Sequence, residues 1–211
     1  MIYELRTYTA KPGTIPAILK ANEEVAWPLR GDNYGKLEGY WHTDIGPVNQ
    51  VMHLWSFDDL VERERLRAEL GALEAWGKEY VPLIRPHLVK QSIRFLSAAR
   101  DMNPPEDDGN FYEFRNYRVQ PGMAGQWIDN ILQALPLREK YSRCVAMWTT
   151  QAPDPNEVCH LWSYKDLDDR KKARADSASD TELVDILKQG RPLIEEQHST
   201  LIWPASFSPL Q

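Results

Sequence analysis

The hydrophobic and polar positions of this chain follow one pattern in the first half and repeat it in the second. Residues 2–9 alternate between apolar and polar side chains, as in a half-buried β-strand, and a Lys-Pro-Gly sequence ends them. Apolar residues then recur at helical spacing from Thr14 to about Pro28. Two further alternating stretches, 37–43 and 48–56, predict a β-hairpin.

A second helix and a last strand complete the first half. Ser56 and Asp59 have the S-x-x-D spacing of a helix start. Another helical turn is predicted around Trp76 and Tyr80, and a strand near 90–97. The second half predicts the same order, and its later strands are expected at 145–150, 157–163 and 198–203. Strand, helix, strand, strand, helix, strand is the order of a ferredoxin-like unit.

The sequence itself is also duplicated. IYELRTYTAKPG at position 2 returns as FYEFRNYRVQPG at position 111, and VMHLWSFDDL at position 51 returns as VCHLWSYKDL at position 158. A period this long marks a domain-sized unit and not a solenoid module. We therefore predict one repeat at residues 1–100, an acidic, proline-rich linker at 101–109 and a second repeat at 110–211.

The duplication also predicts how the sheets are used. A ferredoxin-like unit has two helices on one face of a four-stranded antiparallel sheet and leaves the other face bare. A bare face rich in tryptophan would be a large apolar patch, so we expect the two sheets to cover each other. The predicted fold class is α+β, with two ferredoxin-like βαββαβ repeats packed sheet to sheet as an intramolecular dimeric α+β barrel.

Each half carries one set of polar and aromatic side chains on a single strand face. Alternation places Glu4, Arg6 and Tyr8 on one face of the first strand, and His53 and Trp55 on one face of the third. The equivalent residues of the second half are Glu113, Arg115, Tyr117, His160 and Trp162. Because the intervening residues are apolar and suited to packing under helices, we expect both sets to face away from the helices, into the barrel.

These residue types suggest binding and proton transfer. His53 and His160 are the catalytic candidates, because imidazole exchanges protons near neutral pH and a neighbouring carboxylate can raise its pKa. The other eight side chains are candidate ligand contacts, with the arginines holding negative charge and the tryptophans packing against a small apolar or aromatic molecule.

The same residues also fit a structural role. Polar groups buried between sheets need partners, and Glu4 and Arg6 could simply satisfy each other. A non-catalytic interaction or scaffold module is therefore the alternative to a ligand-binding or enzymatic barrel, and whether the protein is an enzyme stays open. Arg63, Arg65 and Arg67 are expected on a solvated helix face, because acidic residues surround them.

Composition excludes several classes of partner. The net charge is −6 and no basic patch is present, which argues against nucleic acid. No apolar run approaches the ~20 residues of a membrane span, so we expect no membrane insertion and a cytoplasmic protein. No cofactor is predicted, and haem or a metal bound between the two histidines is the alternative. An internal duplication removes the need for a homo-oligomer without excluding one.

The duplicated motifs resemble those of the NIPSNAP family. YELRTYTAKPG and FYEFRNYRVQPG are similar to its opening Y-E-x-R-x-Y…P-G, and HLWSFDDLVERERLR and HLWSYKDLDDRKKAR to its H-x-W-x-[YF]-x-D-L…R signature. The resemblance covers both repeats and implies a dimeric α+β barrel. It implies no particular reaction, because the family has no agreed activity. Related barrels include monooxygenases that need no cofactor, which makes monooxygenase-type or proton-transfer chemistry an expectation.

Overall fold

The computed structural model describes residues 1–211. The first repeat contains β1 (Ile2–Ala10), α1 (Ile15–Ala21), a π-helical segment (Asn22–Ala26), α2 (Trp27–Arg30), β2 (Lys36–Ile45), β3 (Gln50–Phe57), α3 (Leu60–Ala72), a second π-helical segment (Trp76–Tyr80), α4 (Val81–Ile84), a 3₁₀ turn (Arg85–His87) and β4 (Leu88–Arg100). The second contains β5 (Phe111–Val119), α5 (Ala124–Arg138), β6 (Arg143–Ala152), β7 (Glu157–Tyr164), α6 (Leu167–Ser179), α7 (Thr181–Gly190), a 3₁₀ turn (Arg191–Leu193) and β8 (Ile194–Pro204).

Each repeat has the predicted order of strands and helices. Hydrogen-bonded strands follow the order β1-β3-β2-β8-β5-β7-β6-β4 and form a closed barrel, so the predicted α+β barrel of two ferredoxin-like repeats is confirmed. The last strand of each repeat begins earlier than predicted, at Leu88 and Ile194, directly after its 3₁₀ turn. None of the helices is both long and apolar enough to cross a membrane.

The helix after each hairpin begins at an aspartate and not at the predicted serine. Asp59 is the N-cap of α3, and its side chain accepts a hydrogen bond from the backbone N–H of Glu62 at 2.8 Å. Glu62 in turn accepts from the backbone N–H of Asp58 at 2.6 Å. These reciprocal bonds satisfy donors that a helix start leaves free, and Asp166 caps α6 in the same way.

Contacts divide the chain into two compact units, residues 1–95 with 203–211 and residues 96–202. In the first unit the C-terminal segment binds β2. The backbone N–H of Ala205 donates to the carbonyl of Tyr40 at 2.9 Å, and the Ser208 hydroxyl accepts from the Tyr40 N–H at 3.0 Å. The Phe207 ring lies 4.9 Å from the Tyr40 ring, which places the C-terminus against the candidate site of the first repeat.

Candidate functional site

The polar set of each repeat lies beneath the helices of that repeat. Arg63 of α3 donates to Glu4 at 2.5 Å, and the second repeat has the equivalent contact. The prediction that these sets face away from the helices, into the barrel, is therefore wrong. It assumed that apolar side chains identify the helix-side face, but both faces of β3 are buried: Leu54 exposes 1% of its surface and His53 only 6%.

The grouping of residues on one strand face is nevertheless confirmed. The ladder of β1 and β3 pairs Arg6 with His53 and Glu4 with Trp55. Arg6 Nε donates to Tyr8 Oη at 2.7 Å, and Arg6 Nη1 donates to Glu4 Oε1 at 2.6 Å. The ladder of β5 and β7 repeats this register with the five equivalent residues.

Both buried glutamates are neutralised by arginines. Glu113 accepts from Arg115 Nη2 at 2.8 Å and from Arg170 Nη2 at 2.7 Å, and the Ser199 hydroxyl also donates to it. Burial alone would raise the pKa of Glu113, but the Arg170 hydrogen bond, the Arg115 charge and the Ser199 hydroxyl lower it from 4.5 to about 2. A carboxylate held this way is a structural anion and not a proton acceptor.

The helix-face arginines are only partly solvated, contrary to expectation. Arg65 is exposed and pairs with Glu69 at 2.8 Å. Arg63, by contrast, exposes 12% of its side chain and pairs with Glu4, and Arg67 lines the cavity described below. The acidic residues near these arginines in sequence therefore do not predict which arginine side chains are buried.

Replacing Glu113 by glutamine should destabilise the protein by about 3 kcal/mol at neutral pH, because the partly buried guanidinium groups of Arg115 and Arg170 lose their counterion. The folded-state pKa lies near 2, below the ordinary value of 4.5. The wild-type advantage is therefore present above pH 4.5 and lost as the pH falls toward 2. Urea unfolding at pH 7 and pH 3 measures this, with exposed Glu196→Gln as control; an equal loss at both pH values would contradict it.

The two candidate histidines are bound by tryptophan and not by a carboxylate. Trp55 Nε1 donates to His53 Nδ1 at 2.6 Å, and Trp162 Nε1 donates to His160 Nδ1 at 2.6 Å. An indole nitrogen can only donate, so Nδ1 of each imidazole carries no proton and Nε2 carries the proton of the neutral ring.

Burial and nearby arginine charges lower the pKa of both imidazoles, contrary to the expectation that a carboxylate raises it. Burial holds the pKa of His53 well below 6.5, and the charges of Arg6, Arg30 and Arg67 lower it further. Burial and the Arg115 charge do the same for His160. Both rings are therefore neutral at physiological pH and offer an N–H donor at Nε2.

His53 lies at the wall of a cavity of about 490 Å³ between the sheet and helices of the first repeat. Seven aromatic rings line it: Tyr8, Trp27, Tyr40, Trp55, Trp76, Tyr80 and Phe207. Five basic side chains line it as well: Arg6, Arg30, Arg67, Arg85 and Lys90. No aspartate or glutamate is among its lining residues. This is a positively charged, aromatic cavity in a chain of net charge −6.

Arg30 is the most deeply buried of these cations. It exposes 5% of its surface, and its guanidinium lies 3.3 Å from the centre of a Trp55 ring. It donates to the Tyr34 carbonyl at 2.6 Å, while its buried Nε has no hydrogen-bond partner. Burial, with the charges of Arg67 and Arg6, lowers its pKa from 12.5 to about 9. No carboxylate contacts it, so the folded protein holds a costly buried cation.

The equivalent cavity of the second repeat is much smaller, about 150 Å³. Trp127, which occupies the position of Ile18, places its ring 5.6 Å from the His160 ring. Met147 lies opposite His160, where Tyr40 lies opposite His53 and stacks on it at 5.0 Å. The larger indole narrows the space beneath α5.

A one-residue insertion in the first helix enlarges the cavity of the first repeat. Pro28 lies 16 positions after Pro12, whereas Pro136 lies 15 positions after Pro121. The added residue forms the π-helical segment Asn22–Ala26, and the corresponding helix α5 is continuous. A π-helical turn holds one more residue than an α-helical turn, and such turns are frequent at functional sites.

A second insertion has the same form. Arg85 lies 26 positions after Asp59, whereas Arg191 lies 25 positions after Asp166. Here the added residue forms the π-helical segment Trp76–Tyr80.

The two π-helical segments of the first repeat contact each other. Tyr80 Oη donates to Asn22 Oδ1 at 3.0 Å, and Asn22 Nδ2 donates to the Ile18 carbonyl at 2.8 Å. Asn22, Trp76 and Tyr80 all line the 490 Å³ cavity. The insertions thus form its helical wall.

The strand residues of the site were predictable from the sequence, whereas those on helices and at the C-terminus were not. The 490 Å³ cavity is lined by four of the predicted site residues, Arg6, Tyr8, His53 and Trp55, but not by Glu4. In the second repeat Arg115, Tyr117, His160 and Trp162 line the small cavity and Glu113 does not. The missed residues include Arg30, Tyr40, Arg67, Tyr80 and Phe207. The WPLR and LPLR sequences at 27–30 and 135–138 were the one available signal for the arginine.

Comparison with known proteins gives one family and one fold. The NIPSNAP family model matches residues 3–101 and 112–209. NipSnap homolog 3B of Homo sapiens is 28% identical over 214 residues, which cover 99% of this chain and 85% of that protein. A putative monooxygenase from Lactobacillus acidophilus superposes with a TM-score of 0.70 at 11% identity, over 97% of this chain and 94% of that one. A putative monooxygenase from Fusobacterium nucleatum has a TM-score of 0.69 at 14% identity, over 97% and 92%. These two likenesses show the fold alone.

Proposed function

The chain belongs to the NIPSNAP family, and from its site we propose that the first repeat binds a small aromatic or otherwise apolar molecule bearing a negatively charged oxygen. The observation that carries this proposal is Arg30, a buried guanidinium with no carboxylate partner at the wall of a 490 Å³ cavity. Buried charges in proteins are normally paired. An anionic ligand supplies the missing partner.

The cavity fits such a molecule in size and lining. Its volume lies within the roughly 300–1,000 Å³ of small-molecule sites. The aromatic rings provide faces against which a planar ligand can pack. Arg30 and the Nε2–H of His53 provide donors for an oxygen anion, and the second nitrogen of His53 is already bound by Trp55.

The same geometry favours a definite reaction class. Nearby cations lower the pKa of a bound phenol or enol, so the cavity would hold the substrate as its anion. An anion of this kind can supply all the electrons that dioxygen needs: a CH2 group of the substrate becomes C=O, and the second oxygen atom leaves as water with the two hydrogens. Monooxygenase-type chemistry would then need no cofactor. His53 then acts as a fixed donor to the anion and not as the base, because its Nε2 already carries a proton. No group of three or more His, Cys, Asp or Glu side chains is placed to hold a metal.

The scaffold alternative retains support only for part of the polar set. The Glu4 and Glu113 ion pairs support a structural role for these two residues. A structural role does not require the open, positively charged cavity next to them, and the volume of this cavity favours ligand binding.

Calorimetric titration with 2-naphthoate and its neutral alcohol, 2-naphthalenemethanol, tests the proposal. We expect the carboxylate to bind at least about tenfold more tightly, since a charge-assisted hydrogen bond contributes roughly 1.5–3 kcal/mol. Equal affinities, or no binding of either compound, would contradict an anion site.

The affinity for 2-naphthoate should not change between about pH 5.5 and 8. The His53 pKa lies well below 6.5, so the imidazole gains no charge in this range. If His53 titrated normally, its protonation would strengthen anion binding as the pH falls. The same titration at several pH values measures this, and affinity rising toward pH 5.5 would show a protonated histidine in the site.

A further inference from the structure

We propose that the small cavity of the second repeat is a separate site for a small oxyanion of three or four heavy atoms, such as a short carboxylate or bicarbonate. His160 lines this cavity and exposes only 2% of its surface. Its Nδ1 is bound by Trp162, and its Nε2, on the other edge of the ring, is buried without any hydrogen-bond partner. A buried N–H donor of this kind needs an acceptor.

The residues around His160 set the charge of that acceptor. Arg115, Arg138 and Arg191 line the cavity, and no acidic side chain does. Arg115 gives its Nη2 to Glu113, but its buried Nε has no partner. The lining therefore includes the two residues that hold unpartnered donors, His160 and Arg115. It also includes the guanidinium groups of Arg138 and Arg191, which no carboxylate neutralises, and this combination favours a negatively charged acceptor.

The size of the space sets the ligand class. A volume of about 150 Å³ is too small for a naphthyl or similar ring system beside Trp127. It is ample for an anion of a few atoms, since one water needs only about 10–15 Å³ on this measure. This inference does not rest on the function proposed for the first repeat, because it uses different residues and a different ligand.

Side-chain ¹H–¹⁵N spectra of histidine-labelled protein test this site directly, with sodium formate as the probe at constant ionic strength. The His160 signals are assigned by their loss in His160→Gln. We expect them to shift saturably, with a Kd on the order of 1 mM or weaker, the limit for a ligand of three heavy atoms. Sodium chloride at the same ionic strength should not reproduce the shift.

Two arginine variants make the test specific. Arg191 is exposed and lines the cavity, so Arg191→Gln should weaken formate binding at least threefold without disturbing the fold. Arg65→Gln, on the solvated side of α3 in the other repeat, should leave it unchanged. Unmoved His160 signals, a non-saturating shift shared with chloride, or an unchanged Kd in Arg191→Gln would each overturn the proposal.

Discussion

Replacing Arg30 by methionine should strongly weaken 2-naphthoate binding and at the same time stabilise the folded protein. Loss of the buried cation removes the main attraction for the carboxylate, so we expect affinity to fall by roughly 100-fold. Methionine has a similar length and can pack on Trp55 without any charge to desolvate. Loss of function together with gained stability distinguishes a functional charge from a structural one.

The gain in stability follows from the direction of the Arg30 pKa. The folded-state pKa lies near 9 and the ordinary value is 12.5, so at neutral pH the charged folded state is penalised relative to the unfolded chain. That penalty diminishes only as the pH rises above about 9. Allowing for the lost Tyr34 hydrogen bond and Trp55 stacking, we expect a net gain of about 2 kcal/mol.

Thermal unfolding and calorimetric titration together measure both effects. A gain of this size raises the Tm of a chain of this length by roughly 5 °C. Arg65→Met, at an exposed arginine of α3, is the matched control and should leave both binding and Tm unchanged. A destabilised Arg30→Met that still binds 2-naphthoate would show that Arg30 is structural.

Deleting Glu24 should convert the first π-helical segment into an α-helical turn and weaken aromatic-anion binding. Glu24 is exposed within Asn22–Ala26, and its removal restores the spacing found in the continuous helix α5. Because the second repeat folds with that spacing, we expect the deletion variant to fold. The helical wall would contract, and affinity for 2-naphthoate should fall by at least about tenfold as contacts of roughly 1.4 kcal/mol are lost.

Glu24→Ala is the control for this deletion, because it removes the same side chain and keeps the chain length. It should bind 2-naphthoate as the wild type does. Circular dichroism of both variants tests whether they are folded. A folded deletion variant with unchanged affinity would show that the π-helical segment does not shape the cavity.

The fold was predictable because it depends on signals that occur twice. Alternating stretches, the Pro-Gly turns and the repeated HLWS motif fix the strand order in each half, and strand alternation correctly placed Glu4, Arg6 and Tyr8 on one face. The side of the sheet was not predictable. Every residue of β7 is buried, so hydrophobicity carries no information about which face lies beneath helices.

The helical part of the site was not predictable for a different reason. The extra residue near Pro28 is visible when the halves are aligned. The sequence does not show, however, whether this insertion forms a loop, a bulge or a π-helical turn. Arg30 is the last residue of the short helix α2, and its neighbours in sequence do not show that its side chain is buried. Phe207 is far from the first repeat in sequence, and only the folded structure shows that its ring packs against Tyr40.

A crystal structure of the protein with 2-naphthoate would show directly where the ligand lies and which side chains hold its carboxylate. We expect the naphthyl ring in the first-repeat cavity, with the carboxylate within hydrogen-bond distance of Arg30 and of Nε2 of His53. A carboxylate bound only at the protein surface, or a cavity filled by its own side chains with Arg30 paired to a glutamate, would contradict it.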